Sequence, residues 1–208
     1  MQITVFGASG KVGQLVVAMA LAKGYSVHAF VHSHNPFEPN DALQVIRGSI
    51  SDKAAVREAL EGSDAVISTL GSWHTKGKNV LSSGMTNILP AMKSRGIERI
   101  VTVTGAGALW AGDKPGILDK LNHALLGLIA PKILRDGEEH LRLLAQSGLD
   151  WTCVRSPVMT KSARKTYRLD IKLLSPWASI PRAAVAQSLV DQLAHTDYSR
   201  LAPGIFRA

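Results

Sequence analysis

The feature that most constrains this chain is a glycine-rich turn near its start, Gly7-Ala8-Ser9-Gly10-Lys11-Val12-Gly13. It follows Ile3-Thr4-Val5-Phe6, a strand-like run, and opens Lys11–Lys23, where Val12, Leu15, Val16, Met19 and Ala22 recur at helical spacing. The three glycines answer separate needs. Gly7 permits a tight turn out of the strand, Gly10 lets a diphosphate approach the backbone with no Cβ in the way, and Gly13 lets the helix pack close to the sheet. The phosphates then meet unpaired N–H groups and the positive end of the helix dipole. Ser9, Lys11 and Val12 complete the candidate cradle, with a hydroxyl and a charge from the first two. A glycine turn without a ligand is the plainer alternative.

Further along, short apolar runs alternate with segments of helical period, the pattern of parallel strands joined by crossover helices. Strands are predicted at Ile3–Phe6, Ser26–Val31, Leu43–Arg47, Ala65–Thr69, Arg99–Thr104 and Trp151–Arg155. Helices are predicted over Lys11–Lys23, Lys53–Leu60, Val80–Arg95, Lys132–Ser147 and Arg182–His195, with Pro90 expected to kink the third or shift its start. The reading is an α/β fold: one Rossmann-type, doubly wound parallel sheet in the order 3-2-1-4-5-6, with residues 1–208 forming a single NAD(P)-binding domain. Ile117, Leu118, Leu121, Leu125, Leu128 and Ile129 suggest amphipathic helix within residues 113–134, a candidate lid or dimer contact. Residues 157–181 read as a small C-terminal substrate lobe with a short strand near Thr166–Leu169.

Composition narrows the setting. A hydrophobic share of 46% and a charged share of 19% suit a folded globular chain. No apolar run approaches the ~18–20 residues of a membrane span. The first residues show no basic segment or cleavage site, so a cytoplasmic location is expected. Cys153 is the single cysteine, which excludes an internal disulfide and suggests a buried strand residue. The seven histidines lack ligand spacing, so no metal is expected. The net charge of +8 is densest at Lys161, Arg164, Lys165, Arg168 and Lys172, without a nucleic-acid-binding signature. This stretch reads as a solvated surface or as a field drawing anionic ligands to a cleft. The expected partner is a small-molecule acceptor, with neither nucleic acid nor membrane, in a monomer or homodimer.

The Gly-x-x-Gly-x-x-Gly spacing resembles the loop of extended and atypical short-chain dehydrogenase/reductases. Four further stretches are similar, in order, to the NAD(P)H-binding group of that superfamily: Gly48-Ser49-Ile50-Ser51-Asp52, Asp64-Ala65-Val66-Ile67-Ser68-Thr69-Leu70-Gly71-Ser72, Ser147-Gly148-Leu149-Asp150-Trp151-Thr152 and Val154-Arg155-Ser156-Pro157. That group includes flavin reductases of the biliverdin reductase B type and NmrA-like redox sensors.

After the second strand, Val31-His32-Ser33-His34-Asn35 carries no acid to accept the ribose hydroxyls of NAD. NADP(H) is therefore favoured over NAD(H), with His32 and Ser33 as contacts to the 2′-phosphate; exposed loop histidines are the alternative. The resemblance implies that Ser49 and Ile50 flank the adenine, although relatives usually have Asp in place of Ser49 and Arg in place of His32. It implies that Leu70, Gly71 and Ser72 line the ribose-phosphate path, and that Thr104, Arg155 and Pro157 sit beside the nicotinamide.

Reductases of this superfamily that protonate a carbonyl usually use Tyr-x-x-x-Lys, and none of Tyr25, Tyr167 or Tyr198 has Lys four residues later. Relatives often carry a serine where Gly105 stands and a histidine where Gly137 stands. The remaining catalytic candidates are Thr104 and His140, the latter one helical turn beyond Gly137 or simply a surface histidine between Glu139 and Arg142. Gly105 and Gly107 are expected to leave space for a flat ring, with Trp110 at its edge or, alternatively, in the core. The function expected is an NAD(P)H-dependent oxidoreductase passing hydride to a flavin, quinone or similar acceptor. A non-catalytic NADP(H) sensor of NmrA-like type is the second reading, and a sugar-nucleotide epimerase or dehydratase is weaker because it needs the missing tyrosine.

Overall fold

Side-chain alternation in the first strand sets the architecture. In β1 (Gln2–Phe6), Ile3 and Val5 enter one apolar cluster and Phe6 another, on opposite faces. A strand buried on both faces needs helices on both, and the chain supplies them by alternation. In order come α1 (Lys11–Ala22), β2 (Ser26–Val31), β3 (Leu43–Arg47), α2 (Lys53–Ala59), β4 (Ala65–Ser68), α3 (Val80–Ser94) and β5 (Arg99–Gly105). There follow α4 (Ile117–Ile129), α5 (Pro131–Gln146), β6 (Asp150–Ser156), β7 (Val158–Thr160), β8 (Arg168–Asp170), β9 (Ser179–Pro181), α6 (Arg182–Asp191) and β10 (Gly204–Phe206). The computed structural model describes residues 1–73, 75, 77–175 and 177–208.

The strand order is β3-β2-β1-β4-β5-β6-β10-β8, so the expected 3-2-1-4-5-6 core is present. Its six strands are parallel. Beyond it, β10 adds parallel to β6, and β8 closes the edge antiparallel to β10. β7 and β9 pair separately in a two-stranded sheet within residues 157–181. Cluster membership separates the faces: α1 and α6 cover Val5, Ile67, Val101 and Val154, whereas α2, α3 and α5 cover Phe6, Val66, Ile100 and Cys153.

Local chemistry fixes the element ends. Asp52 caps α2, accepting from the Ala54 and Ala55 N–H groups at 2.8 and 3.3 Å. Gly24, at φ +79°, ends α1 in the left-handed region. Pro90 does not shift α3, which begins at Val80 as expected and holds the proline on its exposed side. Burial keeps the Cys153 thiol protonated, its pKa pushed up to about 12.

Candidate cofactor and acceptor site

At the carboxyl end of β1 the chain turns at Gly7, whose φ of +74° disfavours any side chain. A Cβ there would also stand 3.0 Å from the Leu70 nitrogen. Thr69 fastens the turn to the end of β4, its hydroxyl donating to the carbonyls of Phe6 and Gly7 at 3.1 and 3.0 Å. Gly13 is buried, and a Cβ on it would overlap the Gly7 carbonyl oxygen and lie 2.8 Å from Ala8 Cα. Gly10 differs: it is exposed, and among the described residues its Cβ would meet only the Gly7 oxygen, at 3.2 Å.

Gly10 is also the N-cap of α1, which among the described residues has no side-chain cap and no acid in its first turn. The leading N–H groups of a helix lack intrahelical partners. Here they stand beside half-buried Ser9 and Val12 and exposed Lys11, a fitting cradle for a dinucleotide's phosphates.

The other predicted cofactor residues follow the neighbouring strands. His32 and Ser33 are exposed just beyond β2. Ser49 bonds Ser51 through the hydroxyls at 2.8 Å, and Asn87 of α3 holds the Ile50 carbonyl at 2.8 Å. Leu70 packs on Gly84 of α3, where a Cβ would come within 2.6 Å, while Gly71 faces open space. Ser72 departs from the expected ribose-phosphate path. It is buried, donates to Asp136 Oδ2 at 2.5 Å and accepts from the Val80 N–H at 3.1 Å.

Asp136 is the polar residue that sequence reasoning passed over. From α5 its carboxylate accepts the N–H groups of Leu81 and Ser82 at 3.1 and 2.9 Å and the Ser82 hydroxyl at 2.6 Å. It thereby caps α3, whose own N-cap Asn79 makes no side-chain cap bond among the described residues. Next in sequence, Gly137 is pressed against β5: a Cβ would lie 2.9 Å from Thr104 Oγ1 and 3.0 Å from Ala108 Cβ. A histidine at this place would displace Thr104. The Thr104 hydroxyl is buried without a hydrogen-bond partner among the described residues.

His140 is not the surface residue its charged neighbours suggest. It is 0% exposed, and neither ring nitrogen has a partner among the described residues. Burial lowers its pKa to about 4 against the opposing pull of the Asp136 charge, so the ring is neutral near pH 7 and sealed from solvent. Arg155, expected beside the nicotinamide, is also withdrawn: its guanidinium is buried against Asp113 at 2.7 Å.

Asp113 also accepts the Trp110 N–H at 3.0 Å, so this ion pair shapes the loop after β5. Trp110 meets Trp151 edge-on, with ring centroids 5.4 Å apart, and packs at the core margin. Gly105 leaves open space, but Gly107 does not: Leu126 of α4 covers it, which corrects the expectation of room at both. Pro157 is half-buried where β6 ends. A hollow of about 440 Å³ bounded by Lys78, Ser82, Lys132 and Arg135, and one of about 430 Å³ beside Trp110 and Leu141, lie away from the glycine turn. The edge expected to take the cofactor carries, among the described residues, an uncapped helix start instead of a deep hollow.

Among the described residues, no group of three or more His, Cys, Asp or Glu is placed to hold a metal ion. No helix of the described residues is long and apolar enough to cross a membrane. The sequence profile described as NAD(P)H-binding matches residues 7–196. The chain is 29% identical over 140 residues to a 2-alkyl-3-oxoalkanoate reductase of Stenotrophomonas maltophilia, a match covering 64% of this chain and 39% of that protein. It is 28% identical over 157 residues to an uncharacterized protein of Mycobacterium tuberculosis, covering 74% of this chain and 14% of that one. The chain thus spans well under half the length of these curated relatives. Among solved structures, a short-chain dehydrogenase/reductase from Veillonella parvula in complex with NADP superposes with a TM-score of 0.80 at 22% identity, covering 99% of this chain and 94% of that one. An anaerobilin reductase from Escherichia coli gives a TM-score of 0.78 at 20% identity, covering 100% and 97%. At these identities the structural likeness establishes the fold.

Proposed function

Because the chain belongs to the NAD(P)H-binding family, we propose that it is a reductase that prefers NADP(H) to NAD(H) and serves a flat acceptor such as a flavin or quinone. One observation carries this reading: the uncapped start of α1 and the open space at Gly105 lie at the same carboxyl edge of the sheet, the edge where open α/β sheets bind ligands. The N–H groups from Lys11 onward bind the diphosphate, and Gly10 leaves it room. His32 and Ser33 select the 2′-phosphate at an edge whose residues 31–35 include no carboxylate. Leu70 and Gly71 flank the ribose, and Thr104 and Pro157 border the nicotinamide. Arg155 is a positioning residue that holds the loop after β5 through Asp113.

When bound, the reduced nicotinamide supplies hydride, while solvent supplies the proton that completes reduction of the acceptor. Such transfer depends on proximity and orientation, so the absence of Tyr-x-x-x-Lys and the burial of His140 do not oppose it. Residues 157–181 serve as a small substrate lobe, with residues 113–134 as its lid. The two reductases among the similar proteins support the reaction class.

The test is steady-state NADPH oxidation with FMN, riboflavin and a short-chain quinone. Turnover well above the enzyme-free background supports the reductase. Tight NADPH binding without turnover favours an NADP(H)-sensing regulator, the second reading, to which the withdrawal of His140 and Arg155 into the protein lends weight.

A further inference from the structure

Helix α4 is turned inside out. Ile117, Leu118, Leu121, Leu125, Leu128 and Ile129 share one arc of the helix and are between 54% and 87% exposed. The opposite side carries Asp119, Asn122, His123 and Leu126, and it is this side that is half-buried. His123 Nε2 meets Glu138 Oε1 of α5 at 2.5 Å, and Leu126 rests on Gly107. No residue of α4 is buried. A helix that faces its protein with polar groups and presents its leucines outward is built to be covered by something else.

We propose that this face docks on an anionic lipid surface. The charge around it chooses the occupant. Lys114, Lys120, Lys132 and Arg135 are exposed within or beside α4, and Lys78 joins Lys132 and Arg135 around one hollow. The acids nearby are engaged: Asp119 accepts the Gly116 N–H at 2.8 Å, and Glu139 is ion-paired with Arg142 at 2.5 Å. A second copy of this face would set the same cations against each other, in a chain whose net charge is already +8. Anionic headgroups complement them while the leucines enter the acyl boundary. Trp73, 62% exposed, whose carbonyl accepts from the Lys78 ammonium at 3.1 Å, adds an indole suited to the headgroup layer.

At about 20 Å, α4 is too short to span a bilayer and lies in its plane. This departs from the expectation of no membrane partner, because apolar spacing does not reveal which side of a helix turns inward. Residues 113–134 are also the lid of the proposed reductase, and vesicle binding, measured without cofactor or acceptor, reads the outward face of α4 apart from that reaction.

Co-sedimentation of the full chain with phosphatidylcholine vesicles, with and without phosphatidylglycerol, tests it. The unaltered chain is expected to partition at least tenfold more strongly to the anionic vesicles, and less as salt rises. Leu121→Ser/Leu125→Ser and Lys120→Glu/Lys132→Glu, all at exposed positions, should each lower that partitioning at least tenfold with unchanged thermal melting. Equal binding to both vesicle types, no binding to either, or retained binding by the leucine variant overturns the proposal. A two-chain mass in light scattering that falls to one chain in Leu121→Ser/Leu125→Ser assigns the face to a second copy and overturns it as well.

Discussion

Arg155, near the end of β6, places its guanidinium 2.7 Å from the Asp113 carboxylate, and the two side chains are only 2% and 5% exposed. A pair sealed this well is costly to break from one side, because the remaining charge is stranded in a low-dielectric interior. Asp113→Ala should cost about 3–5 kcal/mol in urea unfolding. Adding Arg155→Met should recover part of that loss, since the stranded charge is then gone. If the double variant is no more stable than Asp113→Ala, the pair is not what holds this loop.

The glycines of the phosphate turn separate by what surrounds them. A side chain on Gly13 must displace the loop backbone, so Gly13→Ala should lower stability by about 1–3 kcal/mol and weaken cofactor binding as well. The Cβ of Gly10→Val meets only the Gly7 carbonyl among the described residues, so unfolding should change by less than about 1 kcal/mol. NADPH affinity should nevertheless fall at least tenfold, as read by calorimetry. Unchanged affinity in Gly10→Val would remove the turn from the cofactor site.

These glycines were legible because their constraint is local: strand, turn and helix follow one another within a few residues. The same holds for the six core strands, whose β-rich runs stand between helical periods. What escaped depended on long-range packing. β10 is three residues long and owes its strand state to pairing with β6 and β8, whereas the short strand expected near Thr166–Leu169 is present as β8. His140 lies between charged neighbours in sequence, yet it shares a helical face with Asp136, Gly137, Leu141 and Leu144, all buried. That spacing was a readable signal, outweighed by local polarity. For α4 the periodicity was clear and its direction was not, since a helical arc is the same arc whether it faces the core or the solvent.

At the end of β2, the cofactor preference rests on two exposed polar side chains and the lack of an acid. His32→Asp places a carboxylate where it accepts ribose hydroxyls and repels a 2′-phosphate. The ratio of NAD(H) to NADP(H) affinities should rise at least tenfold, on the order of 1.4 kcal/mol. Titrations in which that ratio holds constant would show that the 2′-phosphate is read elsewhere.

His140 makes stability depend on pH with a definite sign. Its folded pKa of about 4 lies below the ordinary 6.5, chiefly through burial, so between these values the unfolded chain binds more protons than the folded one. The protein should be fully stabilised in this respect above roughly pH 6.5, lose stability steadily as pH falls toward 4, and level off below. The full effect is about 3 kcal/mol. His140→Leu should flatten the curve in that window. A variant that keeps the slope would assign the loss to other groups.

The acceptor side turns on Gly105, where an added Cβ meets nothing within 4 Å, in contrast to Gly107 under Leu126 and Gly137 under Thr104. A side chain there strains no backbone, since Gly105 is not among the positive-φ glycines, and its Cβ meets no neighbour among the described residues. It does fill the space in which a flat ring would lie. Gly105→Phe should therefore leave the melting temperature unchanged and NADPH affinity within about twofold of the unaltered chain while lowering kcat/KM for flavin or quinone at least tenfold, or about 1.4 kcal/mol. The split matters because a loss of cofactor affinity in parallel would mean that the ring had reached the nicotinamide pocket itself. Undiminished acceptor turnover would place the acceptor away from the loop after β5.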